Sequence, residues 1–288
     1  MSRAKPWSTL LLLPLLAWVP ACDDDDGEDD DDAECDNADG PADGGEEEGE
    51  IEAVLDCESL AGEEVPIDEA KLYVEYNFTD GDLGVHGLFD TTGWSLLCVY
   101  APDGQQVLGV QPSAGLGDLT MAGIFFESRE PELDEFGFPE LVADFPEGAY
   151  TVRALAYDGR IYAGAASFTH DVPAPPEVIA PAIIEDEEDA AETTVPVEGL
   201  VVQWAEVTET TEGNPVDITG YEIIVTNEDS EDPNGFARPI ISIHVPLDRR
   251  EVAIPEAFLE ADTLYELEVL ALEVSGNQTI TVGFFRTE

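Results

Sequence analysis

Between Leu72 and Phe78 the chain alternates residue by residue between side chains suited to a core and side chains suited to water. In an extended strand Leu72, Val74, Tyr76 and Phe78 share one face, while Glu75 and Asn77 point the other way. A helix would scatter the same residues around its circumference, so the period of two dictates a half-buried antiparallel strand. The same reasoning gives further strands over Gly84–Phe89, Ser95–Tyr100, Gln106–Val110, Leu119–Glu127, Ala149–Tyr157 and Ile161–Thr169. Asp-Gly pairs inside Ala101–Gln105 and Tyr157–Arg160 suit tight hairpin turns, because Gly adopts positive φ without a steric penalty. PSAGLGD, from Pro112 to Asp118, reads as a hairpin loop. The stretch from Pro131 to Phe145 carries one or two helical turns at most, since Gly137 and Pro139 forbid a long helix. The expectation is an all-β, antiparallel sandwich domain over residues 68–171.

The N-terminus has a different logic. Arg3 and Lys5 precede an apolar run from Trp7 to Ala21, a basic region followed by a hydrophobic one too short to span a bilayer comfortably. Residues 1–21 therefore read as an export signal. The next residues, VPAC from Val19 to Cys22, resemble the lipobox of bacterial lipoproteins. That resemblance implies lipidation of Cys22, which then becomes the mature N-terminus, held at the cell membrane or outer membrane. Val19 and Ala21 also suit an ordinary signal-peptidase cut, in which case the protein is secreted.

From Asp23 to Glu50 there are 17 acidic residues and no Lys or Arg. Such a segment buries too little apolar surface to offset the entropy of ordering it, and its charges repel one another. Residues 22–67 are accordingly expected to form a disordered acidic tether and its lead-in. The whole chain holds 66 acidic against 10 basic residues, a net charge of -56. Nucleic acid is excluded as a partner, because its binding requires phosphate-neutralising cations. Attachment to a membrane must likewise come from acyl chains rather than from a basic surface.

Past the first domain, VPAPPEVIAP is an extended, proline-stiffened connector with a boundary near Pro173. It leads to a strand over Val178–Ile184 and a solvated acidic loop at Glu185–Asp189. LVVQW with Trp204, ITGYEIIVTN with Tyr221, then LEADTLYELEVLALEV and ITVGFFRT follow in order. Residues 172–288 thereby resemble a fibronectin type III domain, an immunoglobulin-like sandwich. The resemblance implies that Trp204 fills the space between two sheets and that Tyr221 opens the third strand. It implies too that Leu259 and Tyr265 are the turn leucine and corner tyrosine, with the Tyr265 hydroxyl bonding backbone across the corner. Glu260–Thr263 stand where the family carries a small residue, and no RGD loop is present.

Four cysteines remain to be placed. With Cys22 lipidated, an odd number is left in an oxidising compartment. In WSLLCVY, alternation puts Trp94, Leu96, Cys98 and Tyr100 on one face, which buries Cys98. Cys57–Cys98 is a candidate disulfide that would tie the lead-in to the sheet; Cys35–Cys57 and isolated thiols are the alternatives.

Chemistry is sparsely signalled. His86, His170 and His244 are far apart and form no HExxH or HxH pattern, so each reads as a surface or edge-strand residue. No GxSxG elbow and no phosphate loop occur. Carboxylate pairs are so abundant that spacing alone does not single out an acid/base couple. DDDDGEDDDDAECDN resembles Asp-rich calcium loops, which makes Asp24, Asp26, Asp30 and Asp32 candidate calcium ligands; no other cofactor is expected. The expected function is non-enzymatic: a lipid-anchored protein displaying two β-sandwich modules to a surface protein or glycan, with Trp94 and Phe236 as candidate contacts. Alternatives are an accessory module of an exported polysaccharide-active enzyme and a structural spacer of the envelope.

Overall fold

The structure is a computed structural model that describes residues 55–192, 194–230 and 237–288. The export signal, Cys22, Cys35, Asp24, Asp26, Asp30, Asp32 and Phe236 lie outside the described residues. Among the described residues no helix is long and apolar enough to cross a membrane.

The first module contains β1 (Glu64–Pro66), β2 (Glu69–Asn77), β3 (Asp82–Tyr100), β4 (Gln106–Val110), β5 (Met121–Glu127), β6 (Gly148–Ala156) and β7 (Ile161–Phe168). Two short helices, α1 (Ala114–Leu119) and α2 (Phe138–Asp144), interrupt them. The sheet thus begins at Glu64, within the stretch expected to be lead-in, where β1 pairs in parallel with β7. Pro112–Asp118 is no hairpin loop, because α1 forms there, and Leu119 joins that helix rather than β5.

The two expected strands Gly84–Phe89 and Ser95–Tyr100 are one long strand, β3. Its first half pairs with β2 and β5, and its second half with β4 and β6. Between Trp94 and Leu96 the register shifts. This bulge breaks the alternation assumed for WSLLCVY: Trp94 enters the main core, while Leu96, Cys98 and Tyr100 form a satellite cluster with Cys57. Cys57 and Cys98 are joined by a disulfide with S–S 1.98 Å. The Arg153 guanidinium reinforces this attachment, donating to the carbonyls of Cys57 and Leu60 at 3.2 and 3.3 Å. The main core gathers Leu72, Val74 and Tyr76 with Phe89, Trp94, Tyr150 and Phe168. Phe78 parts from the β2 face because the strand ends at Asn77; its ring is 48% exposed.

The second module holds β8 (Val178–Ala180), a 3-10 turn (Glu187–Glu192), β9 (Thr194–Val195), β10 (Val201–Trp204), β11 (Ile218–Asn227), β12 (Ile240–Pro246), β13 (Glu251–Ala253), β14 (Leu264–Glu273) and β15 (Gln278–Thr287). Its strands form two sheets, β13-β10-β8 and the run β12-β11-β14-β15. Trp204, Tyr221, Tyr265 and Phe285 fill the space between them. The Trp204 and Tyr221 rings lie 5.3 Å apart, and the Tyr221 hydroxyl accepts the Val207 amide at 3.0 Å. Tyr265, fully buried, accepts the Glu260 amide at 2.8 Å, and Leu259 is buried beside it. In the turn between them Asp262 takes φ 53, a left-handed conformation that Asp tolerates better than most residues, and its carbonyl is capped by Arg286 at 2.8 Å.

The fold is therefore all-β, with two sandwiches, but the pairing is not wholly antiparallel. The two modules share one continuous sheet: β2 pairs in parallel with β15, matching Glu75, Tyr76 and Asn77 to Gln278, Thr279 and Ile280. Each module thus covers the other's exposed strand edge, which otherwise invites aggregation.

Candidate functional site

The seam between β2 and β15 is built from polar groups that have exchanged water for one another. Asn277 is fully buried; its Oδ1 accepts the Val74 amide at 2.8 Å, and its Nδ2 donates to the Thr169 carbonyl at 3.1 Å and to Thr169 Oγ1 at 3.0 Å. Thr79 bridges the modules as well, donating to the Val282 carbonyl at 3.0 Å and accepting its amide at 2.8 Å. The proline connector does not stand clear of the modules: Val172 is buried, and Thr279 and Thr281 donate to the carbonyls of Pro173 and Pro176 at 2.6 and 2.8 Å.

The outward face of this shared sheet carries the unusual chemistry. Alternation sends Tyr73 and Glu75 of β2 outward, and Asp82, Gly84 and His86 of β3 beside them. His86 is only 3% exposed, so its assignment to the surface is corrected. Its ring lies 5.4 Å from that of Tyr73 and 5.9 Å from that of Phe125. His86 Nε2 is 2.9 Å from a Glu130 carboxylate oxygen, and Nδ1 is 3.8 Å from Glu75. The Gln278 amide of the second module donates to that Glu75 carboxylate. Burial opposes charge on His86, yet the Glu130 hydrogen bond and the charges of Glu75, Glu130 and Glu127 outweigh it and hold the imidazole above its ordinary pKa. Burial raises Glu75 despite His86 and Gln278, and burial followed by Glu130 raises Glu127. Asp82 is pushed up to about 7 by burial and the nearby carboxylates, Glu130 foremost.

Farther along the same sheet, Glu266 and Glu268 of β14 lie on one outward face, and Glu266 Oε1 is buried without a hydrogen-bond partner. Burial and the Glu228 charge push Glu266 up to about 7, and burial with Glu266 raises Glu268 well above the carboxylate range. Around them Ile224, Leu270 and Ile280 are buried in an apolar cluster.

The residues named from sequence are widely dispersed. His170 faces the Phe145 carbonyl at 2.8 Å, and His244 projects 62% of its side chain into solvent on β12. Trp94 is wholly buried and donates Nε1 to the Ala122 carbonyl at 3.1 Å, which removes it as a contact residue. The exposed aromatic near the seam is Phe78, in a shallow depression with Tyr76, Phe138, Pro175, Glu209 and Glu212. The His86 cluster escaped sequence reasoning because Glu130 follows the strand rather than lying on it. Its one local signal was Gly84, a residue without a side chain two positions before an outward histidine.

No known family profile matches the chain, and no curated protein matches it. Solved structures similar to it include chicken CNTN1 FN1-FN3 domains, at 12% identity over 79% of this chain and 68% of that one, with TM-score 0.29. A two-domain fibronectin type III segment of chicken tenascin is 10% identical over 76% of this chain and all (100%) of that one, with TM-score 0.27. The third fibronectin III domain of human KIAA0343 protein is 17% identical over 41% of this chain and 84% of that one, with TM-score 0.28. The fibronectin type III-like character of the second module rests on its own strand order and corner: β13-β10-β8 against β12-β11-β14-β15, with Trp204 between the sheets and Tyr265 closing the turn.

Proposed function

We propose that the chain is an exported, lipid-anchored and non-catalytic display protein. Cys22 carries the acyl chains, the acidic run after it holds the folded part away from the headgroups, and the two modules act together as one stiff unit. The observation that supports the stiff unit is the β2–β15 pairing with its buried Asn277, while the anchor rests on the sequence from Val19 to Cys22. Modules joined only by a flexible linker would swing independently, whereas strand pairing together with a packed connector transmits orientation from one end to the other. A spacer that must keep a binding surface at a set distance needs that stiffness.

The partner class is a surface protein or glycan. The depression at Phe78, whose exposed ring is available for stacking, with Glu209 and Glu212 as acceptors at its rim, supports this choice. The acidic run supplies diffuse calcium association through Asp24, Asp26, Asp30 and Asp32 rather than a catalytic ion.

The test is intact mass and membrane partition of the full chain in a bacterial host, beside Cys22→Ala. Acylated protein beginning at Cys22, with membrane association lost in the variant, is the expected result. An unmodified chain in the soluble fraction would sink the anchor and leave a secreted protein.

A further inference from the structure

We propose that Glu75, His86 and Glu130 form a binding site for a first-row divalent cation, with Zn2+ the ion their donor set suits. The three residues each present one ligand atom, all within 4.8 Å of one another. They come from β2, from β3 and from the segment after β5, so the fold and not local sequence assembles them.

The geometry is pre-set on each side. The His86 ring is held between the rings of Tyr73 and Phe125 and is 4% exposed. Gly84 leaves a cradle that Glu130 occupies: a Cβ on Gly84 would come within 2.8 Å of Glu130 Cγ and 2.9 Å of its Oε1. Ser128 fixes the approach of that segment, its hydroxyl accepting the Val85 amide at 2.9 Å. Gln278 holds Glu75 from the other side. Outer hydrogen bonds of this kind orient ligands in protein metal sites. An ion takes one ring nitrogen: at Nδ1 the 3.8 Å to Glu75 is close to the ~3.4 Å edge of a tetrahedron with zinc-ligand bonds of about 2.1 Å, and Glu130 joins that shell by giving up its 2.9 Å hydrogen bond to Nε2.

Charge points the same way. Glu75, Glu127 and Glu130 surround a single imidazole and Asp82 lies near those carboxylates, while the neighbouring bases Lys71 and Arg129 pair elsewhere, with Glu69 and Glu135. Among the described residues no Lys or Arg forms an ion pair with these four carboxylates. Asp82 lies on the same outward face, and its Oδ1 is buried without a hydrogen-bond partner. An unpaired buried oxygen is costly unless a ligand satisfies it. The imidazole donor favours Zn2+ over Ca2+ or Mg2+, which prefer all-oxygen shells.

The acidic run also attracts cations, so the test must read His86 itself. The full chain carrying 15N-labelled histidine is titrated with ZnCl2 and followed by the ring-nitrogen resonances of its three histidines. One equivalent is expected to move the His86 ring and leave His170 and His244 in place. Glu130→Gln, at a side chain that is 27% exposed, is expected to weaken that response by about tenfold to a hundredfold. His244→Gln leaves it unchanged. A His86 ring unmoved at several-fold excess of zinc overturns the site, as does an unchanged His86 response in Glu130→Gln, which would take Glu130 out of the ligand set.

Discussion

Two stretches of one sheet face bury glutamates and resolve the cost differently. In the first module Glu75, Glu127 and Glu130 surround His86, a base that can carry the opposing charge. In the second, Glu266 and Glu268 lie together, and among the described residues no Lys, Arg or His is ion-paired with them; Arg238 is paired with Glu228, and burial favours their protonated forms. The outward patterns are alike in sequence, apolar residues alternating with Glu in both β2 and β14. The difference lies in what crosses over each strand. A buried carboxylate needs a cation or a proton, and the surrounding chain decides which.

Separating the two regions is expected to have the largest effect. Asn277→Ala leaves the Val74 amide and the Thr169 carbonyl without their partner inside the seam, a loss of about 3 kcal/mol. Urea unfolding followed by Trp fluorescence should then show two transitions in place of one, because the cores around Trp94 and Trp204 no longer share a sheet edge. A single, unshifted transition would show that the seam does not couple the modules.

The Glu266–Glu268 region should reveal itself through pH. Glu266 in the folded protein sits at about 7 against an ordinary 4.5, and Glu268 is raised as well, both chiefly by burial. The folded state therefore binds more protons than the unfolded one between those values. Stability is greatest below the unfolded pKa and falls as pH rises through the folded pKa, by about 1 to 3 kcal/mol. Lowering the pH from 7 toward 4.5 should stabilise the protein. The general charge of -56 contributes a slope of the same sign, so the diagnostic quantity is the difference between the parent and Glu268→Gln. The variant should be flatter; parallel curves would mean that the pair is solvated.

How much of this was legible follows from what alternation can and cannot report. It gave the inward face of β2, because Leu72 and Val74 each meet a core built mostly by neighbouring strands. It split β3 in two because Asp90–Gly93 reads as a break, whereas Gly93 at φ 147 lets the strand bend and continue. It missed the seam, since β2 and β15 lie about two hundred residues apart and pairing between edges has no local signature. The absence of a ligand motif put His86 on the surface or an edge strand, whereas residues that cross over β3 bury it.

The first region answers to its base. His86→Gln keeps a polar side chain but removes the charge among Glu75, Glu127 and Glu130 and the ring between Tyr73 and Phe125; a loss of about 1 to 3 kcal/mol is expected in urea unfolding. His244→Gln, on the exposed edge strand of the second region, should stay within about 0.5 kcal/mol. Equal effects would erase the distinction between the two.

Gly84→Ala should have the smallest effect on stability and the most selective one on the site. The new Cβ meets Glu130 at 2.8 Å, but the contact is with the reach of a flexible, part-exposed side chain, which can swing away. Alanine also restricts the unfolded chain and suits a strand better than glycine, an opposing gain of about 0.5 to 1 kcal/mol. The net change in stability should lie within about 1 kcal/mol of zero. Glu130, however, can no longer lie over the strand at His86, so the zinc response of that ring should weaken by about tenfold, as for a lost supporting ligand. If zinc binding survives Gly84→Ala unchanged, the cradle does not position Glu130, and His86 with Glu75 alone must account for it.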